Sequence, residues 1–346
     1  MDVTFLGTSA GTPTRARNVT GLALMHGKPK HWYLIDCGEG TQHQLLHTSH
    51  SVMQLQAIFI THVHGDHTFG LPGLLTSASM LGRTEPLFLI APRPVKTFVE
   101  TALGNSDSNL GYELKYVDSE ADEFYWEDDA VEVMTTPLSH RVSSRAFTFT
   151  EKNLERQLLK NELEANSVEP GPAWGELQQG RDVVLENGTV LRSDQYTAIT
   201  RQPRKIVVGG DNDNPELLEA ACQDAHVLIH EATYTQEVAD RVGSWPQHSS
   251  AAQVARFAEA VGIPNLVLTH FSSRYQLSRD AYPHIGEVEA EATGLYRGTL
   301  YLARDLQTYR LHKDLTLKPE LASDTSLSTR ETRVQSRGTR YTESAP

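Results

Sequence analysis

Cysteine is almost missing from the 346-residue chain, which holds only Cys37 and Cys222. Two thiols build neither a disulfide framework nor a four-cysteine zinc site, and they suit a reducing compartment, so the cytoplasm is the expected location. Long apolar runs are missing too. No stretch approaches the roughly 18 residues that a membrane span needs, and the opening MDVTFLG lacks the basic region of a signal peptide; no membrane partner is expected. Basic charge is in short supply: 31 Lys and Arg against 44 Asp and Glu leave a formal charge of −13. That balance excludes a general nucleic-acid coat, because phosphate binding draws on clustered cations, but it leaves room for a local basic site.

What remains is a chain of short apolar runs separated by glycine and polar turns. VTFLG, GLALMHG, HWYLIDCGEG and LQAIFITH read as strands up to residue 60. GLPGLLTSASML turns helical from Gly70 with Pro72 near its start, and PLFLIAP is a buried strand followed by a helix around Val95 to Leu103. Further strands are expected at LKYVD, VEVMTTPLSH and SSRAFTFT, then at RKIVVGGDN, AHVLIHEATY and NLVLTHF, with SSAAQVARFAEAVG as an amphipathic helix. Apolar strands alternating with helices predict an α/β protein with sheets covered by helices. The segment 151–202 breaks that rhythm with the charged, helix-like NLERQLLKNELEANS and the cluster EPGPAWG, and reads as an insertion between a first part, 1–150, and a second, 203–315. From 316 to 346 serine, threonine and charge replace apolar residues, which predicts a disordered tail.

Histidine, by contrast, is frequent, at 15 residues. In FITHVHGDHTFGLPG, His62 and His64 share one face of an extended segment, and the glycine at 65 lets the chain turn to present Asp66 and His67 to a neighbouring point. Imidazole and carboxylate together suit zinc, and manganese or iron less specifically. So many ligands exceed one tetrahedral site and point to two ions close together. His140, Asp211 and His270 each end an apolar run, where sheet proteins of this class gather ligands.

The HxHxDH spacing of His62, His64, Asp66 and His67 resembles the metallo-β-lactamase-fold hydrolases. The ordered set FLGTSAGTPTRARN, LIDCGEGTQHQL, HGDHTFGLPGLL, GGDN, HEATY, HSS and THFSSRY resembles, more narrowly, the ribonuclease Z family. That resemblance implies an αββα sandwich with an inserted flexible arm. It implies two Zn²⁺ per chain, with Mn²⁺ as the alternative: one held by His62, His64 and His140, the second by Asp66, His67 and His270, and Asp211 bridging. It also implies a zinc-dependent endoribonuclease that removes the 3′ trailer of precursor tRNA by two-metal phosphodiester hydrolysis and leaves a 3′ hydroxyl. Asp66 is then the general base, and His248, supported by Glu231, the proton donor to the leaving oxygen; His230 is at least as well explained as a packing residue.

For substrate contacts the resemblance implies Arg15 and Arg17 in the loop PTRARN, and Gly171 and Pro172 in an arm that grips the tRNA elbow. It also implies a homodimer. The insert fits this reading in position and length but not in charge: residues 151–202 hold six Lys or Arg against nine Asp or Glu. The alternative is therefore a broader metallophosphodiesterase acting on small diesters, other RNAs or exonucleolytically.

Overall fold

A computed structural model describes residues 1–26, 31–278, 280 and 282–320. Its frame is two sheets laid face to face. The first has eight strands, ordered Leu317–Pro319, Thr308–Leu311, Asp2–Gly7, Gly21–Met25, Trp32–Cys37, Leu55–Phe59, Leu87–Ala91 and Leu114–Asp118. The second has seven, ordered Thr299–Leu302, Asn265–Thr269, Val227–Glu231, Lys205–Val208, Ser144–Glu151, Val131–Leu138 and Tyr125–Glu127. Near-continuous apolar strands such as WYLIDC arise because both faces are covered. One face packs between the sheets; the other packs under helices.

Alternation along a strand decides which side chain enters which layer. In SRAFTFTE, Phe147 and Phe149 point to the same side and meet Phe59 of the first sheet at ring-centroid distances of 5.2 and 5.1 Å. Tyr33 and Trp126 complete this aromatic centre. A second core lies where helices Ala251–Ala260 and Ile285–Thr293 cover the second sheet, and a third where Leu71–Met80 and Arg93–Asn105 cover the first. The arrangement is the expected αββα sandwich. No helix among the described residues is long and apolar enough to cross a membrane.

One edge of the sandwich is stitched across the two sheets by the backbone: the Arg145 amide donates to the Thr61 carbonyl at 3.0 Å, and the Gly210 amide to the Arg145 carbonyl at 3.2 Å. A Cβ at Gly210 would lie 2.7 Å from Ser144 Oγ and from Thr61 Cβ, so only glycine allows this approach. Four of the strands that were expected to carry ligands end here, one to three residues before His62, His140, Asp211 and His270.

The insert leaves and re-enters between paired neighbours, since Ser144–Glu151 and Lys205–Val208 are antiparallel partners with Thr150 opposite Lys205. Its neck is a two-stranded ribbon in which Arg156–Leu158 pairs with Thr197–Ile199. Beyond the neck, helices Lys160–Ala165 and Pro172–Gln178 pack around Leu163, Val168, Leu177 and Leu191. The charged run read as helix-like is thus split. Its first part pairs across the neck as a strand, because a partner strand outweighs local helical propensity.

At the base of the neck the buried Glu151 carboxylate accepts from Arg201 at 2.6 and 2.8 Å and from Arg204 at 2.6 and 3.0 Å. At the other end of the chain, Leu317–Pro319 adds an edge strand to the first sheet within the segment read as the start of a tail. The rest of that tail, 321–346, lies outside the described residues.

Candidate metal centre

The strand ends bring seven side chains to one point in two sets that share Asp211. His62, His64, His140 and Asp211 form one set, and Asp66, His67 and His270 form the other. Asp211 faces both. Its Oδ2 lies 3.6 Å from His62 Nε2 and 3.8 Å from His140 Nε2, while its Oδ1 lies 3.5 Å from His67 Nε2 and 3.4 Å from His270 Nε2. Asp66 Oδ2 stands 3.6 and 3.5 Å from the same two nitrogens.

These separations are too long for hydrogen bonds. Metal–nitrogen bonds of about 2.0–2.1 Å would put the corners of a tetrahedron roughly 3.3–3.4 Å apart, close to the spacing seen.

The outer nitrogens explain what the inner ones are for. His67 Nδ1 donates to Asp36 at 2.7 Å, and His140 Nδ1 to the Gln247 carbonyl at 2.9 Å. His62 Nδ1 donates to Thr61 Oγ1, which itself donates to Asp36, and His270 Nδ1 donates to Thr233 Oγ1, which donates to Glu231. Each of these four rings is thereby held in the tautomer that turns an Nε2 lone pair inward. His67 Nε2 and His270 Nε2 are buried with no hydrogen-bond partner.

His64 Nδ1 sits 3.1 Å from His62 Nε2 and 3.2 Å from His140 Nε2, and one proton cannot serve both contacts. Converging lone pairs and carboxylates with nothing positive between them would repel, so the donor set fits divalent cations with nitrogen and oxygen ligands.

The electrostatics agree. Burial, reinforced by neighbouring rings, lowers the pKa of His62, His64 and His140, which keeps them neutral as ligands require. Burial acts to raise Asp66 and Asp211, but the adjacent histidines outweigh it and hold both below the usual carboxylate range. His67 goes the other way: Asp211, Asp66 and Asp36 surround it and overcome its burial, a concentration of negative charge that calls for a cation at that position.

Beside the two sets, His248 Nδ1 donates to Glu231 Oε1 at 2.9 Å and lies 3.8 Å from Asp211. Burial opposes its protonation, yet the Glu231 charge and hydrogen bond, with Asp211 behind them, push its pKa up to about 9. Glu231 is fixed in turn by the Asn212 and Thr233 amides. His230 is fully buried, donates to the Glu231 carbonyl and receives Asn212 Nδ2, as a packing residue does. A cavity of about 460 Å³ opens over the centre, with Asp66, Asp211, His248 and His270 on its floor and Gly11 and Arg141 in its wall.

The expected substrate residues fare unevenly. The loop PTRARN borders the cavity through Pro13, and the Gly11 amide just before it donates to Asp66 Oδ2 at 2.8 Å. Arg15 is exposed there. Arg17 is not available to a phosphate: it is 7% exposed, its Nη1 donates to Thr8 Oγ1 and the Ala303 carbonyl, and its guanidinium lies 4.8 Å above the Phe271 ring. Asp305 nearby supplies the counter-charge, so Arg17 braces the loop from inside. Gly171 and Pro172 are exposed at the start of helix Pro172–Gln178, away from the cavity wall.

Sequence reasoning missed Asp36, which touches Thr61 and His67, although a carboxylate ending the apolar run WYLI was a signal in view.

Known proteins extend this picture. A family model described as Anti-Pycsar protein Apyc1 matches residues 1–153. The chain is 66% identical to a ribonuclease Z of Marinobacter nauticus over 92% of its own length and 98% of the relative's, and 52% identical to one of Pseudomonas putida over 91% and 98%. The crystal structure of the short form of human tRNase Z superposes with a TM-score of 0.62 at 26% identity, covering 90% of this chain and all of that one. With full-length relatives at such identity and a metallo-β-lactamase-like fold, the chain belongs to the ribonuclease Z family and is a phosphodiester-hydrolysing endoribonuclease.

Proposed function

We propose that the enzyme removes the 3′ trailer of precursor tRNA by two-metal hydrolysis, with zinc as the resident ion, and leaves a 3′ hydroxyl. The observation that carries this reading is the pair of ligand sets sharing Asp211, open to the cavity beside His248 and Glu231. Two ions held by His62, His64, His140 and Asp211, and by Asp66, His67, His270 and Asp211, would acidify the attacking water and offset charge on the phosphoryl oxygens. Asp66 orients that water; its depressed pKa makes it a weak base, so positioning outweighs proton removal in its role. Glu231 holds His248 by Nδ1 and keeps it protonated near neutrality, which leaves Nε2 to protonate the departing 3′ oxygen.

Residues 151–202 serve in this reading as the arm that grips tRNA. One observation favours the broader metallophosphodiesterase instead. Lys152, Arg181, Arg192 and Arg201 already pair with Glu127, Glu176, Asp182 and Glu151, which leaves few free cations in the insert for a phosphate backbone. Exposed Leu46, Met80 and Leu81, gathered around one groove at the C-terminal ends of two helices, support a homodimer, and the two unpaired, buried thiols support a cytoplasmic location.

The deciding experiment incubates the full chain with a precursor tRNA, with and without chelator, and maps the cut and its end groups. A chelator-sensitive cut at the trailer boundary with a 3′ hydroxyl upstream is expected. Trimming from the end, or equal cleavage of unrelated RNAs, would favour the second reading.

A further inference from the structure

Arg141 lines the catalytic cavity and Trp245 stacks against it, and nothing in the chemistry above uses either. Trp245 is 75% exposed, an indole held in water where burial would be favourable. The Arg141 guanidinium lies 4.6 Å from the centre of its ring, covering one face. Arg141 is also part of the cavity wall, and its charge helps to lower the pKa of His64, so it is close to the ligand set. Among the described residues it forms no ion pair with a carboxylate, although acidic residues outnumber basic ones in this chain.

Both partners are held in place by the metal centre itself. Arg141 follows His140 in the chain. Trp245 rides on a loop that begins with Gly243 at φ 84° and returns through Gln247 at φ 53°. The carbonyl of Gln247 receives His140 Nδ1, and the next residues are fixed by Ser249 Oγ donating to the Asn212 carbonyl at 2.6 Å and by Ser250 capping helix Ala251–Ala260. The exposed indole is therefore presented by an anchored loop, three residues before the histidine that would protonate the leaving oxygen.

An aromatic face open to solvent beside an unpaired arginine is the combination that binds a nucleotide: the base stacks and the guanidinium takes the phosphate. We propose that Arg141 and Trp245 form a nucleotide subsite that holds an unpaired RNA residue flanking the scissile phosphate. The base stacks on the free face of Trp245 and the backbone phosphate sits against Arg141. The subsite rests on the phosphodiesterase reading of the centre and not on the identity of the RNA. It places a cation where an acidic protein must admit a polyanion.

The test is steady-state kinetics of the metal-loaded full chain on precursor tRNA and on an unstructured RNA, with a fluorescence titration alongside. Trp245→Ala should raise KM about tenfold, with the loss in KM rather than kcat, and Trp245→Phe should restore most of it. Arg141→Ala should lessen the slope of log KM against log salt by about one, and Arg141→Lys should keep that slope. Adenosine 5′-monophosphate, which a diesterase does not cleave, should quench the tryptophan emission of the wild type and leave Trp245→Phe unquenched. Unchanged KM in both alanine variants, or equal quenching in Trp245→Phe, overturns the subsite. If the wild type ignores precursor tRNA yet cuts the unstructured RNA with the same dependence on Trp245, the tRNA reading fails and the subsite stands. If it matures precursor tRNA and the variants match it, the subsite fails and the tRNA reading stands.

Discussion

The metal centre and the insert spend their charges in opposite ways. At the centre, four imidazoles are anchored from outside by Asp36, Thr61, Thr233 and the Gln247 carbonyl, and their inner nitrogens and the carboxylates of Asp66 and Asp211 are left facing one another. In the insert, most basic side chains are matched to a neighbouring acid, as Arg181 is to Glu176 and Arg192 to Asp182. A group of convergent lone pairs marks a place prepared for a cation that arrives; a group of matched pairs marks a place that is finished. Reactive surface and merely polar surface differ in this respect, whatever their composition.

The contrast can be broken most severely at Asp66. Asp66→Ala should cost roughly 10³-fold or more in hydrolysis of a chromogenic diester, since it removes both a candidate metal ligand and the group proposed to position the water, while Tm changes little. A variant with near-full turnover would remove Asp66 from the mechanism. Next comes His248, the proposed proton donor. His248→Ala should lower activity by about 10²–10⁴-fold.

Glu231→Gln should shift the alkaline limb of the rate profile to lower pH. In the proposed mechanism His248 acts while protonated and loses its proton as pH rises through its raised pKa, and deleting the Glu231 charge lowers that pKa. An alkaline limb that stays in place would separate Glu231 from the acid.

Removing residues 152–200 tests the other region. Under the arm reading, tRNA maturation should fall at least about tenfold, one contact's worth of binding energy, and the small diester should be hydrolysed as before; equal loss of both would mean that the insert supports the fold.

The smallest effect is on stability, at Glu151. Its carboxylate is held well below the usual range because Arg201 and Arg204 outweigh its burial. Glu151→Ala should destabilise the protein by about 3 kcal/mol, since two arginines lose their buried partner, and thermal unfolding would measure it. The same contribution is present above the unfolded carboxylate pKa and is lost as pH falls through the folded one, so the variant's deficit should narrow in acid.

How much of this was legible in the sequence follows from how far each feature depends on neighbours in the chain. The candidate ligands His62, His64, Asp66 and His67 lie within six positions, and His140, Asp211 and His270 each follow an apolar run, so strand ends pointed to them and the family resemblance sorted them into two sets. Asp36 escaped notice because its role depends on a strand pairing that brings Thr61 alongside it. Arg17 was misread because a loop sequence does not say which way a side chain turns, and Phe271, which it covers, is remote in the chain. The neck strand Arg156–Leu158 was hidden in a helical pattern, for its partner comes only at Thr197–Ile199. Arg141 and Trp245 meet only once the sheet and the Gly243–Ser250 loop are folded.

The neck carries a consequence for how the insert is joined to its host. Because the insert departs and returns through paired strands beside Glu151, the host sheet closes its own register and receives the same two ends whatever lies beyond them. The neck is a socket: what lies beyond it is joined to the host sheet through two paired strands alone.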